Sequence, residues 1–142
     1  MPVKVKGGIK LHPSKVRKFK QIIPGIIANE AKNHFLEGFR KGGGQTDKSA
    51  SGWKQIKKKR RKTKKKRAIL VDTGQLRNDI DTRKTSFRQI IIGTNDTSYG
   101  IYHNTGNTRD GVQREFLGDS RKLDRKIKKT IKTELNILFG KK

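Results

Sequence analysis

The residues whose side chains could do chemistry are few in this chain and lie far apart. Its three histidines, His12, His34 and His103, form no two-histidine motif, so a zinc site would have to assemble from distant segments. There is no cysteine, and hence no thiolate ligand or disulfide. The 12 acidic residues are dispersed and do not indicate a two-metal phosphoryl-transfer site. We therefore expect no enzymatic activity, no metal and no cofactor.

Two further patterns lack the context that would give them a catalytic meaning. The triplet Gly42-Gly43-Gly44 has neither the lysine nor the preceding strand of a phosphate-binding loop. The pair His103-Asn104 invites comparison with nucleases, but without a second histidine or an acidic cluster it is too common to count. A nuclease is therefore only the third hypothesis.

The most distinctive chemical feature is a basic run from Lys54 to Arg67, in which 11 of the 14 residues are Lys or Arg. An unpaired buried ammonium costs several kcal/mol, so this run must face water, phosphate or acidic protein. On its own it is equally compatible with a solvated loop or, in a eukaryote, a nuclear-import signal. The candidate contacts to nucleic acid or an acidic partner are Lys57, Lys58, Lys59, Arg60, Arg61, Lys62, Lys64, Lys65, Lys66 and Arg67.

The basic character extends beyond that run. Without its 11 charges the formal net charge falls from +25 to +14, so a polyanion such as DNA becomes the expected partner. A freestanding nucleic-acid-binding protein that uses the run for phosphates and Trp53 for base stacking is one hypothesis. Trp53 more often has another role, because a lone tryptophan commonly pins a loop to the core through its apolar area.

Size and composition predict one domain with a modest core. The chain has 142 residues, of which 30% are hydrophobic and 35% are charged, so self-repulsion opposes folding and neighbours should stabilise the fold. No apolar stretch approaches the roughly 18 residues that span a bilayer, and no signal-peptide pattern opens the sequence. We expect a soluble, intracellularly made protein without membrane contact.

The first half of the chain predicts an arm, a helix and a loop. Residues 1–13 alternate weakly and are interpreted as an N-terminal arm. The helical pattern that begins at Ser14 is interrupted at Pro24, which suits the first turn of a main helix running to about Arg40. After the glycine triplet, residues 45–52 are predicted to be a flexible loop without an apolar anchor.

The second half predicts a short helix, a hairpin and a long helix. Asp72 or Thr73 is expected to cap the short helix, and residues 88–93 form a strand, covered at least partly on both faces, that pairs with residues 81–84. Residues 99–103 suggest one or two helical turns, followed by a loop in which Asn104 and Gly106 suit positive φ. The last helix is capped by Asp119 or Ser120, carries Lys or Arg opposite its apolar stripe and ends at Gly140; that stripe comprises Leu123, Ile127, Ile131, Leu135 and Leu138.

Together these elements predict an α/β (α+β) fold, in which two long amphipathic helices pack on a small antiparallel sheet. We place it in a single domain over residues 14–142, with a basic loop at 54–67.

Four stretches in this order carry a resemblance to a known family. They are Gly52-Trp53-Lys54, Ile69-Leu70-Val71-Asp72-Thr73-Gly74-Gln75-Leu76-Arg77, the segment from Ile92 to Gly106, and Arg114-Glu115-Phe116-Leu117-Gly118-Asp119-Ser120. Over about residues 24–139 the chain resembles the tailed-bacteriophage virion morphogenesis family, also called tail completion proteins. The resemblance implies a non-enzymatic subunit of a ring between the connector or portal and the tail. Its location would be the virion neck or tail, assembled in the host cytoplasm.

The segment around the two tyrosines is the candidate subunit interface. Tyr99, Tyr102, His103 and Asn104 lie next to a polar turn and outside the two long helices. Large amphipathic side chains favour interfaces when one end stays wet, whereas ordinary core aromatics are the alternative. In the ring interpretation these residues contact neighbouring subunits or virion proteins, and the basic loop faces DNA or an acidic partner.

Overall fold

The computed structural model describes residues 12–54, 70, 74–95 and 97–140. Within these ranges the chain forms four helices and two strands. In chain order they are α1 (Pro13–Lys41), α2 (Gln75–Asn78), β1 (Ile80–Thr85), β2 (Ile90–Thr94), α3 (Gly100–Thr105) and α4 (Arg121–Phe139). The two long helices, α1 and α4, pack with an antiparallel two-stranded sheet, so the predicted α+β class and single domain are confirmed. The predicted arm lies outside the described residues up to position 11, and Pro13 already belongs to α1.

Helix α1 is longer than the sequence pattern predicts. It runs unbroken for 29 residues, with Pro13 in its first turn and Pro24 inside it, so the prediction that a helix begins at Pro24 is wrong. An interior proline removes one helical hydrogen bond and costs about 3 kcal/mol. The helix continues through it because its buried stripe begins here; the stripe includes Ile23, Ala28, Ala31, Phe35 and Phe39. Gly42, at φ 74°, ends the helix.

The loop after α1 is held in place by its own polar groups. Thr46 Oγ1 lies 2.7 Å from Ser49 Oγ, and the backbone N–H of Gly44 donates to the Ser49 carbonyl at 2.8 Å. Both side chains are buried, so this loop is anchored by polar contacts, whereas its flexibility stays a prediction. Short polar side chains here replace the apolar anchor that the sequence lacks.

Trp53 closes this loop onto the core, as the more common role of a lone tryptophan predicts. It is buried, and its ring meets Phe39 edge to face at 5.4 Å between centroids. The indole Nε1–H donates to the carbonyl of Glu115 at 2.9 Å. Because Trp53 is only 6% exposed, its indole ring is not available for base stacking in this conformation.

The predicted hairpin is present, but β2 begins at Ile90 instead of Arg88, and the turn lies between Ser86 and Gln89. Its register pairs Ile80 with Thr94 and Thr85 with Ile90, with an irregularity between Thr82 and Lys84. Ser86 and Gln89 exchange two backbone hydrogen bonds across the turn. Ile80 of β1 is buried against α1. In β2, Ile90 and Ile92 are half-buried and Ile91 is 38% exposed, so both faces of this strand are partly covered, as predicted.

Among the described residues, the core contains two clusters of buried hydrophobic side chains. The larger holds Phe39, Trp53, Leu76, Ile80 and Phe116, and the smaller holds Ala31, Phe35 and Leu123. Ile92 and Leu117 pack against both and so join them.

Helix α4 contacts the core mainly through its beginning. Ser120 caps it by accepting a hydrogen bond from the Leu123 N–H, which agrees with the predicted cap. Leu123 is buried, Ile127 and Ile131 are half-buried, and Leu135 is 38% exposed. The apolar stripe therefore loses its cover toward the C-terminal end of the helix.

Candidate functional site

Helix α3 and its N-cap residue expose three large side chains to solvent, although the helix itself packs tightly on the core. Gly100 fits against the core so closely that a Cβ there would lie 2.9 Å from Leu76 Cδ1 and 3.2 Å from Phe116 Cζ. On the outer side Tyr99 is 39% exposed, Ile101 64% and Tyr102 49%. We call these three residues the α3 face. The alternative that both tyrosines are ordinary core aromatics does not hold for this conformation.

Hydrogen bonds of the Asn104 side chain connect α3 to the segment that precedes α4. Its side-chain amide donates to the Leu117 carbonyl at 2.6 Å, and its Oδ1 accepts from the N–H groups of Phe116 at 2.8 Å and Leu117 at 3.2 Å. Asn104 lies within the helix, so the prediction that it supplies positive φ is wrong. Gly106 does so, at φ 81°. The Asn104 side chain is thus engaged inside the chain and supports the α3 face from behind.

His103 also lies behind that face. It is half-buried, and its ring meets Tyr99 edge to face at 6.2 Å. Burial lowers the pKa of His103, and the positive charge of Arg114 lowers it further. A neutral imidazole here packs Tyr99 in place. Of the four predicted interface residues, Tyr99 and Tyr102 reach the surface, whereas His103 and Asn104 hold them.

Arg114 is buried and connects three segments by hydrogen bonds, a role that the sequence did not predict. It is 4% exposed, its Nη2 donates to Asp110 Oδ2 at 2.9 Å, and its Nε donates to the Lys54 carbonyl at 3.3 Å. Its own N–H donates to the His103 carbonyl at 2.9 Å. The Arg114 guanidinium beside Asp110 holds the pKa of that carboxyl well below its usual range. The only signal in the sequence is a loop arginine four residues after an aspartate.

A second surface lies on α4. At about 100° per residue, Arg121, Arg125, Lys128, Lys129 and Lys132 fall within one sector about 100° wide. We call these five residues the cationic row. All are exposed, and between Arg121 and Lys132 this sector contains no other residue type. The sequence predicts this basic face, although it does not reveal how open the face is.

The cationic side chains of this row differ in whether they have a partner within the described part of the chain. Arg121 Nε pairs with Asp47 Oδ2 at 3.2 Å, and Arg125 Nε donates to the Arg121 carbonyl at 3.2 Å. Lys128, Lys129 and Lys132 form no ion pair with any described residue. These three ammonium groups are therefore available to an external anion.

The groove between α1 and α4 brings Glu30, His34 and Glu37 to one side of α1, but not as metal ligands. Glu30 accepts from the Thr130 hydroxyl at 2.6 Å, and Glu37 pairs with Lys41 at 2.6 Å. His34 directs Nε2 to the Gln45 carbonyl. Among residues 12–54, 70, 74–95 and 97–140 there is no group of three or more side chains suited to hold a metal ion.

The predicted contacts of the basic run lie outside the described residues; they are Lys57, Lys58, Lys59, Arg60, Arg61, Lys62, Lys64, Lys65, Lys66 and Arg67. The structure does show what flanks the run. Trp53 on one side and Leu70 on the other pack into the same core cluster, and Arg114 holds the Lys54 carbonyl. The short-helix cap expected at Asp72 or Thr73 also lies outside the described residues.

Comparison with known proteins adds no relative. No protein-family model matches the chain, and neither the curated proteins nor the solved structures contain a match. In the part of the chain that the structure covers, none of the helices has the length and apolar character needed to span a membrane.

Proposed function

We propose that this chain is a non-enzymatic structural subunit of a tailed-phage virion, which acts in head–tail joining or tail completion within a homo-oligomeric ring. The order of its motifs, which resembles that of tail completion proteins, suggests the class. The observation that carries the proposal is the α3 face, where Tyr99 at the N-cap and Ile101 and Tyr102 in the helix are all exposed although Gly100 fixes the helix against the core. In the proposed ring these residues contact the adjacent subunit, and the two ends of the ring contact the connector and the tail.

The fixed position of α3 favours the interpretation that its exposed side chains form a protein interface over the interpretation that their exposure is incidental. Aromatic side chains are enriched at protein interfaces, where a tyrosine hydroxyl can remain at the wet edge. Gly100 and Asn104 fix the helix before any partner arrives, so docking orders few new groups. Ten hydrophobic side chains are buried among the described residues, and such a small core suits a subunit that neighbours stabilise.

The charge of the chain sets a condition on such a ring. Each copy carries a formal charge of +25, so adjacent copies repel unless counter-charge is present. The screening length is about 8 Å at 0.15 M salt and about 3 Å at 1 M. Ring formation should therefore be promoted by salt, by DNA in the channel or by acidic neighbours.

Mass measurement under native conditions tests the proposal. We expect the nuclease-treated parent protein to form a ring or ring precursor at 0.5 M NaCl and smaller species at 0.05 M NaCl. The double variant Ile101→Ser, Tyr102→Ser should stay monomeric at both salt concentrations. The matched control Phe87→Ser, Ile137→Ser removes two other exposed apolar side chains, 54% and 68% exposed, and should assemble like the parent.

A monomer or dimer in every condition, including with DNA added, would contradict the ring and favour the freestanding nucleic-acid-binding protein. A complementation assay separates assembly from folding. Parent or variant protein is added to a phage extract that lacks the wild-type subunit, and infectious particles are counted. Full titre with the α3 variant would remove the α3 face from the interface.

A further inference from the structure

The cationic row of α4 has a geometry that suits a regular polyanion. Arg121, Arg125, Lys128 and Lys132 recur at helical intervals, so the row extends about 16 Å along the helix. This length exceeds the roughly 12 Å width of the DNA major groove and allows one helix to reach phosphates on both sides of it. All of these side chains are exposed, and Arg121 is 84% exposed.

Within the described part of the chain, acidic side chains neutralise little of this row. The acidic residues of α4 are Asp124 and Glu134: Glu134 lies on the opposite side of the helix, whereas Asp124 borders the row one turn before Lys128 but forms no ion pair with it. Only Arg121 has an acidic partner, Asp47, among the described residues. Lys128, Lys129 and Lys132 thus add three uncompensated charges on about one turn of helix, a local potential that attracts anions.

The composition of the row favours nucleic acid over an acidic protein. Protein interfaces are anchored by buried apolar or aromatic side chains with a polar rim, and this sector offers no such anchor between Arg121 and Lys132. Lys and Arg alone are sufficient for phosphate contacts, which position a protein on the duplex without reading its sequence. We propose that the cationic row of α4 binds the phosphates of duplex DNA without sequence preference. The residues of this row belong neither to the basic run in the sequence nor to the α3 face, and the proposal does not depend on ring formation.

Fluorescence anisotropy with a labelled 24-base-pair duplex tests the proposal on the full chain between 0.05 and 0.3 M NaCl. The row variant carries Lys128→Gln, Lys129→Gln and Lys132→Gln. Each lost phosphate contact lowers the slope of log K against log salt by about 0.9, so the slope should flatten by about 2 to 3. Affinity at 0.1 M NaCl should fall by about tenfold or more, equally for two duplexes of unrelated sequence.

The matched control carries Lys15→Gln, Lys18→Gln and Lys48→Gln, which remove the same charge from exposed positions on α1 and the following loop. It should keep most of the affinity and a slope near that of the parent. Melting curves should be alike for all three proteins, because exposed substitutions change stability little.

Three results would overturn the proposal. The first is an unchanged slope in the row variant. The second is an equal loss of DNA affinity in the control variant, which would show that the total charge of the protein matters and the position of the charges does not. The third is a loss of polyglutamate binding as large as the loss of duplex binding, which would assign the row to an acidic protein.

Discussion

The imidazole Nε2 of His34 lies 3.0 Å from the Ser120 hydroxyl, so one buried side chain of α1 contacts the residue that caps α4. The same nitrogen lies 2.8 Å from the Gln45 carbonyl, and Ser120 Oγ in turn accepts from the Leu123 N–H. Three segments therefore meet at one histidine. The two long helices and the loop after α1 therefore share one titratable side chain.

Acidification should weaken this junction. Burial lowers the pKa of His34, and the charges of Lys126 and Lys122 act in the same direction, while the hydrogen bond to Gln45 and the charge of Glu37 oppose them. The unfolded state then binds the proton more readily, so stability is lost as pH falls through about 6.5 toward the folded pKa. Urea midpoints at pH 7.5, 6.5 and 5.5 should fall more steeply for the parent than for His34→Gln.

His103 provides the background in that experiment, because its pKa is also lowered and it remains in both proteins. The difference between parent and variant therefore isolates His34. Parallel pH profiles would show that His34 contributes nothing to the pH dependence.

The position of a leucine along α4 should decide its contribution to stability. Leu123→Ala should cost about 2 to 4 kcal/mol, because Leu123 is 8% exposed and packs with Phe35 and Ala31. The matched change Leu135→Ala, on the same stripe at 38% exposure, should cost less than about 1 kcal/mol. Urea unfolding followed by circular dichroism measures both. Equal costs would mean that α4 is packed along its whole length.

Two glycines should respond to alanine in opposite directions. At Gly100 a methyl group meets Leu76 and Phe116, so Gly100→Ala should destabilise the protein by about 1 to 3 kcal/mol. At Gly25, inside α1, an added Cβ meets nothing within 4 Å, so Gly25→Ala should stabilise it by about 0.5 to 1 kcal/mol. Thermal melting of the two variants is the measurement. A neutral Gly100→Ala would show that α3 is less tightly seated than its contacts indicate.

The basic run should be dispensable for folding but not for DNA affinity. Replacing residues 57–66 by Ser and Gly removes nine cationic side chains and should weaken duplex binding and flatten its salt dependence. The melting temperature should hold, since Trp53 and Leu70 pack in the core and are unchanged. A much earlier melt would show that the run is structural, and unchanged DNA binding would locate the phosphate contacts elsewhere.

Elements with strong local patterns could be predicted from the sequence. The terminal helix follows from its apolar spacing and its Ser120 cap, and the hairpin follows from the isoleucine strand, although its turn lies after Thr85 and not at it. The continuity of α1 could not be predicted in the same way. Local rules end a helix at Pro24, whereas the burial of Ile23 and Ala28 on either side outweighs the lost hydrogen bond.

The groups that hold the surfaces in place depend on contacts between distant parts of the chain. His34 and Ser120 are 86 positions apart, and Arg114 reaches a carbonyl 60 positions away. No local spacing encodes such pairs. The exposure of Tyr102 likewise depends on how Gly100 and Asn104 dock α3, which only the folded chain reveals.

Pro24 divides α1 into two parts with different opening energies. None of residues 13–22 is buried, and these ten residues form about 15 Å of helix ahead of the core. Because Pro24 has no N–H, the Lys20 carbonyl lacks its partner in the helical ladder at the boundary between the parts. Amide hydrogens in the outer part should therefore exchange with solvent through local fraying, at a free energy well below that of global unfolding. Those from Ala28 to Phe39 should exchange only when the core unfolds.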